Sequence, residues 1–331
     1  MQLDATIARD PAVGAELAAE LEAAGYDGVW TAETQHDPFL PLASAAVSTS
    51  RVTLGTAIAT AFTRSPMVTA MAAWDLQRAS RGRFVLGLGT QVRAHNVRRF
   101  SVPWEPPAPR LRELVEALRH IWGAFQGEHP LQFRGEHYRH DLITPFFDPG
   151  PIEWPRPPIW LAAVTPTMYR LAGEVADGIH VHVFHTARYL REVALPALGA
   201  RRSEVTLASG VFVVLGGAAD EVRMQIAFYG STPTYKPVFE SHGWEGLQEK
   251  LHGLMARGDF AAMGEAIDDE VLAEFAVLAD DWDDAWRRIR ARYEGILDRV
   301  GVYGLRSSGG ADTAEIAAAF RRTAQSAADR A

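Results

Sequence analysis

The chain contains no cysteine, which excludes disulfides, thiolate nucleophiles and cysteine-ligated metals and leaves the redox compartment undetermined. Any redox chemistry must come from a bound cofactor. Positive charge is also scarce: 33 Lys and Arg against 41 Asp and Glu give a formal net charge of −8. The densest basic runs are pairs such as Arg98-Arg99 and Arg201-Arg202, so no extended nucleic-acid surface is expected. An anionic ligand would have to find local positive charge or helix N-termini. Long hydrophobic runs are missing as well. No segment approaches the ~18 apolar residues that span a bilayer, and the N-terminus lacks the basic and apolar parts of a secretion signal. The expectation is a soluble, cytoplasmic protein whose partner is a small molecule rather than nucleic acid or membrane.

What is present is a long chain, 331 residues with 47% hydrophobic content, enough for one large α/β unit. Strand-like and helix-like segments alternate. Leu3 to Ala8 reads as a first strand; Pro11 opens a helix that Gly25 ends. Strand Gly28 to Thr31, helix Leu42 to Ser48, strand Val52 to Ala59, helix Pro66 to Ala79, strand Arg83 to Leu88 and helix Pro109 to Phe125 follow. Segment 127–157 breaks the rhythm with Pro, Gly, His and aromatics, and Phe133-Arg-Gly-Glu-His-Tyr looks like a hairpin on an excursion at the rim. The alternation resumes with strand Pro158 to Ala163, helix Thr167 to Val175, strand Gly178 to Phe184, helix Arg188 to Leu198, strand Val205 to Leu215 and helix Asp220 to Tyr229. An insertion of short helices over 230–281 precedes helix Trp282 to Tyr293, an eighth strand in Gly295 to Tyr303, and a last helix from Thr313 to Ala328 capped by Asp312. Eight βα units make a single (β/α)8 TIM barrel, with a doubly wound sheet as the alternative. In a barrel the chemistry sits at the C-terminal ends of the strands.

Four places there qualify. The loop after strand 2 carries Glu33, His36 and Asp37, and a neutral imidazole such as His36 can act as general acid or base near pH 7. After strand 3, Ala57 to Thr60 can form a wall beneath a planar ring. After strand 4, Thr90 and Gln91 offer a hydroxyl and an amide. After strand 5, Ala163-Val164-Thr165-Pro166 enters a helix whose free amides and dipole favour an anion. Each place also has a plain alternative: a solvated loop, an ordinary strand, or a capped helix with no ligand.

Leu54-Gly-Thr-Ala-Ile, Gly82-Arg-Phe-Val-Leu-Gly-Leu-Gly-Thr, Pro158-Ile-Trp-Leu-Ala-Ala and Leu171-Ala-Gly-Glu-Val-Ala-Asp-Gly, in this order, resemble the bacterial luciferase-like flavin and deazaflavin oxidoreductases. The resemblance covers most of residues 3–215, and it is nearer the branch that uses coenzyme F420 than the FMN monooxygenases. It implies hydride transfer between the deazaflavin and an organic substrate, with FMN as the alternative cofactor of a two-component monooxygenase. It also implies a homodimer. By the same resemblance Ala57 and Ile58 form a bulge with a cis peptide behind the ring, with Thr60 just beyond. Thr90 and Gln91 lie beside the ring edge, and Val164, Thr165 and Pro166 cradle the phosphate, although many relatives have Gly in place of Thr165. On the second loop, relatives acting on sugar phosphates carry an Asp-His pair where this chain has Thr34-Gln35. The displaced His36 is therefore the first catalytic candidate and Glu33 the second.

A competing reading belongs to another class. His180 and His182 share a face of strand 6, a spacing that binds zinc in barrel hydrolases. No aspartate follows strand 8 to complete such a site, where Tyr303-Gly-Leu-Arg stands instead. Trp104, Phe146, Phe147 and Trp154 suggest a hydrophobic lid over the substrate or, alternatively, a dimer contact.

Overall fold

The alternation builds a closed parallel barrel. In the computed structural model, which describes residues 1–7, 11–216, 219–303 and 313–328, eight strands carry it: β1 (Gln2–Thr6), β2 (Gly28–Thr31), β3 (Thr53–Thr56), β4 (Phe84–Gly89), β5 (Ile159–Ala163), β6 (Gly178–Val181), β7 (Thr206–Leu215) and β8 (Arg299–Tyr303). Each pairs in parallel with the next, and β1 closes the ring, its Asp4 lying opposite Gly28 on one side and Gly301 on the other. This is the expected (β/α)8 barrel. No helix among the described residues is long and apolar enough to cross a membrane.

Local signals set most helix boundaries. Ser65 accepts a hydrogen bond from the Val68 amide and, with Pro66 in the first turn, opens helix Pro66–Ala79. Asp281 does the same for helix Trp282–Tyr293 through the Asp284 amide. Gly25 stops helix Gly14–Ala24 with a left-handed φ of 94° that only glycine takes at no steric cost. Ala8 and Asp312 lie outside the described residues.

Three expectations need correction. Strand Gly178 to Phe184 ends at Val181, where the chain turns onto the mouth. The 230–281 insertion holds the expected short helices but also a strand, Ala276–Ala279, beside the outer half of β7. Four apolar residues after a helix carry no period that distinguishes strand from helix. The excursion does not stay at the rim. Beyond the hairpin of Phe133–Arg134 with Arg139–His140, it runs down the outer wall. There Gly150 O and Pro149 O accept from Trp74 Nε1 (3.0 Å) and Arg78 (2.9 Å), and Pro155 O accepts from Gln77 (2.7 Å). Trp154 thus reaches Gly82, at the turn into β4 on the face opposite the mouth; a Cβ on Gly82 would lie 2.8 Å from its ring. Trp154 is no lid.

The main core fills the space between strands and helices, and a second, smaller one lies inside the ring: Trp30, Val85, Trp160 and Ala208, with Ala57 against them. An ion pair is buried beside it. Arg299, 5% exposed, donates from Nε and Nη2 to the two carboxylate oxygens of Asp4, 7% exposed, at 2.9 and 2.6 Å, and its guanidinium lies 5.7 Å from the Trp30 ring centroid. Burial pushes the Asp4 carboxyl above its ordinary range while the Arg299 hydrogen bonds and charge pull it back.

Candidate active site

At the C-terminal mouth the end of β3 is displaced into the barrel. Leu54 lies opposite Phe84, but after the displacement Ala59 lies opposite Leu88, so the register shifts by one residue and β3 carries one more residue than β4 between these pairs. This is a β-bulge, a device that re-aims side chains at barrel rims. The Ala57–Ile58 peptide bond is cis. Around the bulge, Thr56 Oγ1 replaces the lost ladder bonds, donating to Gly87 O at 2.6 Å and accepting from Gly87 N at 2.9 Å. A Cβ on Gly87 would meet Thr56 O at 1.8 Å, so the backbones approach only because residue 87 has no side chain. Two residues on, a Cβ on Gly89 would lie 2.8 Å from Ile58 Cδ1 and Cγ1 and 3.3 Å from Ala162 Cβ. Ile58 therefore rests as a shelf over Gly89 and Ala162, at the ends of β4 and β5.

The loop after β2 is bound to this bulge. Ala57 N donates to Thr31 O (2.6 Å) and Glu33 N to Ile58 O (3.0 Å). The Glu33 carboxylate, 7% exposed, accepts from Thr60 N at 2.7 Å and from both terminal nitrogens of Arg64, at 2.8 and 3.1 Å. Arg64 also donates to Asp37 Oδ2 at 2.7 Å. Of the two residues offered as catalytic, Glu33 thus holds the geometry of a brace. His36 stands exposed on the same loop with no hydrogen bond among the described residues.

Beyond β4, Thr90 and Gln91 are half-buried, and Gln91 has a φ of +56°. Buried Asn96 holds Thr90 O at 2.8 Å through Nδ2, while its Oδ1 has no partner among the described residues. Thr60 Oγ1 is likewise buried without a partner among them. Beyond β5, Thr165 accepts from Met168 N at 3.4 Å and caps helix Pro166–Val175, whose first-turn amides face the mouth. Tyr189 Oη pins the turn by donating to Val164 O at 2.7 Å. The shelf, the orphaned Thr60 and Asn96 oxygens and the capped amide turn fit a flat ring with an anionic arm.

His180 and His182 do not form a metal centre. His180 is packed between Trp30 and Trp160, at 4.8 and 5.0 Å between centroids, and His182 between Tyr229 and Tyr235, at 4.8 Å each. Among the described residues no three His, Asp or Glu gather as metal ligands would. Burial pushes both imidazoles down to about 3, so they are neutral at pH 7. Opposite the shelf, Tyr229 and Tyr303 share a hydroxyl hydrogen bond of 2.5 Å.

Sequence reasoning missed Arg64 and the Tyr229–Tyr303 pair. Only Arg64 had a local signal, an arginine in Thr-Arg-Ser-Pro directly after the wall segment.

Residues 3–299 match the family described as luciferase-like monooxygenase. The chain belongs to that family. Within it, the chain is 48% identical to uncharacterized protein Rv1360 of Mycobacterium tuberculosis over 314 residues, 91% of this chain and 92% of that protein. It is 27% identical to the 5,10-methylenetetrahydromethanopterin reductase of Archaeoglobus fulgidus, covering 85% of this chain and 84% of the reductase. Among solved structures, the coenzyme F420-dependent tetrahydromethanopterin reductase of Methanopyrus kandleri superposes with a TM-score of 0.75 at 22% identity, over 96% of this chain and 95% of that one.

Proposed function

We propose that this luciferase-like chain is an F420-dependent oxidoreductase that transfers a hydride between the deazaflavin and an organic substrate. One arrangement carries the reading: a shelf at Ile58 over Gly89 and Ala162, beside a capped helix start at Thr165-Pro166. A ring resting on the first places its phosphate arm at the second. The names of relatives point the same way, two reductases of a methanopterin substrate, one of them F420-dependent. A bound deazaflavin supplies a carbon centre that gives or takes two electrons as hydride.

This chain's residues do the rest. Ala57, Ile58 and Thr60 back the ring, Thr90 and Gln91 line its edge, and Val164, Thr165 and Pro166 hold the phosphate with main-chain amides and the helix dipole. His36 moves the proton that accompanies the hydride. A homodimer is part of the same reading, through the outer faces of helices Leu40–Ser48 and Pro66–Ala79, where Leu40, Val47, Val68 and Met71 are all at least half exposed.

The test is titration of the apoprotein with reduced deazaflavin, FMN and NADPH. Deazaflavin is expected to bind; saturable binding of FMN without deazaflavin would move the chain to the two-component flavin monooxygenases. As the site test, His36→Ala is expected to slow hydride turnover ~10²-fold or more with cofactor affinity nearly unchanged. Full turnover in that variant would clear His36 of a role.

A further inference from the structure

We infer that Arg64 is a positioning residue for the reaction, acting through the loop that presents His36. The inference rests on the reading of His36 as the proton-moving group. Arg64 belongs to a different segment, past β3, yet its guanidinium grips the His36 loop on both sides. It pairs with both oxygens of Glu33, three residues before His36, and with Asp37, one residue after. Its face lies 5.2 Å from the ring centroid of Phe39, which starts the next helix. Thr34 between them is held from the far side, because Arg99 beyond β4 donates to its carbonyl. Residues 33, 34 and 37 are thus fastened to the two loops that frame the shelf, while the His36 imidazole makes no hydrogen bond among the described residues.

The residue type suits the task. A guanidinium is a flat fork with five donors, so one side chain can bond one carboxylate twice and a second carboxylate once. Lysine, a single point charge, cannot hold both in fixed orientation. Asp37 serves a second purpose with its other oxygen, which accepts from Phe39 N at 2.8 Å and opens helix Leu40–Ser48. Moving Arg64 therefore frees the His36 loop at both its start and its exit into that helix. A reacting group misplaced by about 1 Å can lose ~10²-fold in rate without touching the substrate.

The test compares Arg64→Met, Arg64→Lys and Asp37→Asn with wild type, the last removing one contact while the buried Glu33 pair survives. Three readouts apply: amide hydrogen exchange over residues 33–37 in the apoprotein, cofactor affinity, and turnover. Arg64→Met is expected to speed exchange over 33–37, lower turnover ~10²-fold and change cofactor affinity less than ~3-fold. Arg64→Lys should recover part of the turnover, and Asp37→Asn should lie between Arg64→Met and wild type. In the double variant His36→Ala with Arg64→Met, turnover should be no lower than in His36→Ala alone, since residues acting as one unit are not additive. Unchanged exchange, or losses that multiply in the double variant, would overturn the inference even with His36 essential. Faster exchange beside a fully active His36→Ala would instead retire the catalytic reading and with it Arg64's part in the reaction. If Arg64→Met does not fold, the Lys and Asn variants decide on the same readouts.

Discussion

Replacing Arg299 by methionine should reveal how the barrel interior tolerates charge. Asp4 sits 7% exposed beside Trp30 and accepts two hydrogen bonds from Arg299. Without the guanidinium the strongest opposition to the burial that already raises the Asp4 carboxyl is lost, and breaking such a pair from one side costs ~3–5 kcal/mol. The sign of the pH dependence follows from proton counts. In the variant's native state Asp4 holds its proton to higher pH than in the unfolded chain, which releases it above its ordinary value near ~3.9. Stability is then fully present at low pH and falls by about 1.4 kcal/mol per unit as pH rises. Relative to wild type, the variant's deficit should grow between pH 5 and pH 7, by at most about 1.4 kcal/mol per pH unit, and near pH 7 it should approach the ~3–5 kcal/mol cost of a buried pair broken from one side. Urea denaturation of both proteins at the two pH values measures this. Adding Asp4→Leu should restore most of the loss, because an apolar pair of similar volume has no charge to desolvate. A deficit below ~1 kcal/mol, or one identical at pH 5 and pH 7, would refute the reasoning.

Three further outcomes are expected. Gly89→Ala introduces a Cβ 2.8 Å from Ile58 Cδ1; pushing Ile58 off its shelf should weaken deazaflavin binding ~10-fold or more in the apoprotein titration, at an overpacking cost of ~1–3 kcal/mol. Thr165→Ala removes the cap accepted from Met168 N and should destabilise the fold by ~1 kcal/mol, while inorganic phosphate competes less well for the cofactor's arm in the same titration. His180 and His182 are pushed down to about 3 and His185 to about 4 by burial, so the unfolded state binds more protons than the native state below pH ~6.5. Stability should therefore fall as pH drops from about 6.5 toward 4, by up to ~1.4 kcal/mol per unit per group; a denaturation midpoint flat over that range would show that the imidazoles are charged or solvated in the native state.

Much of the fold is legible in the chain because its signals are local. Proline in a first turn, a Ser or Asp that caps, and glycine at a stop each act within four residues, so the limits of helices Pro66–Ala79 and Trp282–Tyr293 follow from their own letters. The order of strands and helices likewise dictates a parallel sheet, since short connections leave little other choice. The mouth is legible as four loops, with Thr165 as a cap and His36 on the second. The elements that misled are those without local signals: Ala276–Ala279, too short to show a period, and the excursion, whose Trp154 is placed by Gly82 seventy-two positions earlier in the chain.

What tertiary structure alone decided concerns pairs far apart in sequence. Glu33 reads as a free acid until Arg64, thirty-one residues on, closes on it; His180 and His182 read as metal ligands until aromatic rings from other strands and from the segment after β7 enclose them. Asp4 and Arg299 meet only when a barrel closes across a separation of 295 residues. The sequence by itself determined the strand and helix repertoire and where along the chain chemistry can lie. Which of those polar groups are locked and which stay free depends on the neighbours that ring closure brings within hydrogen-bond distance, and no short-range pattern encodes that.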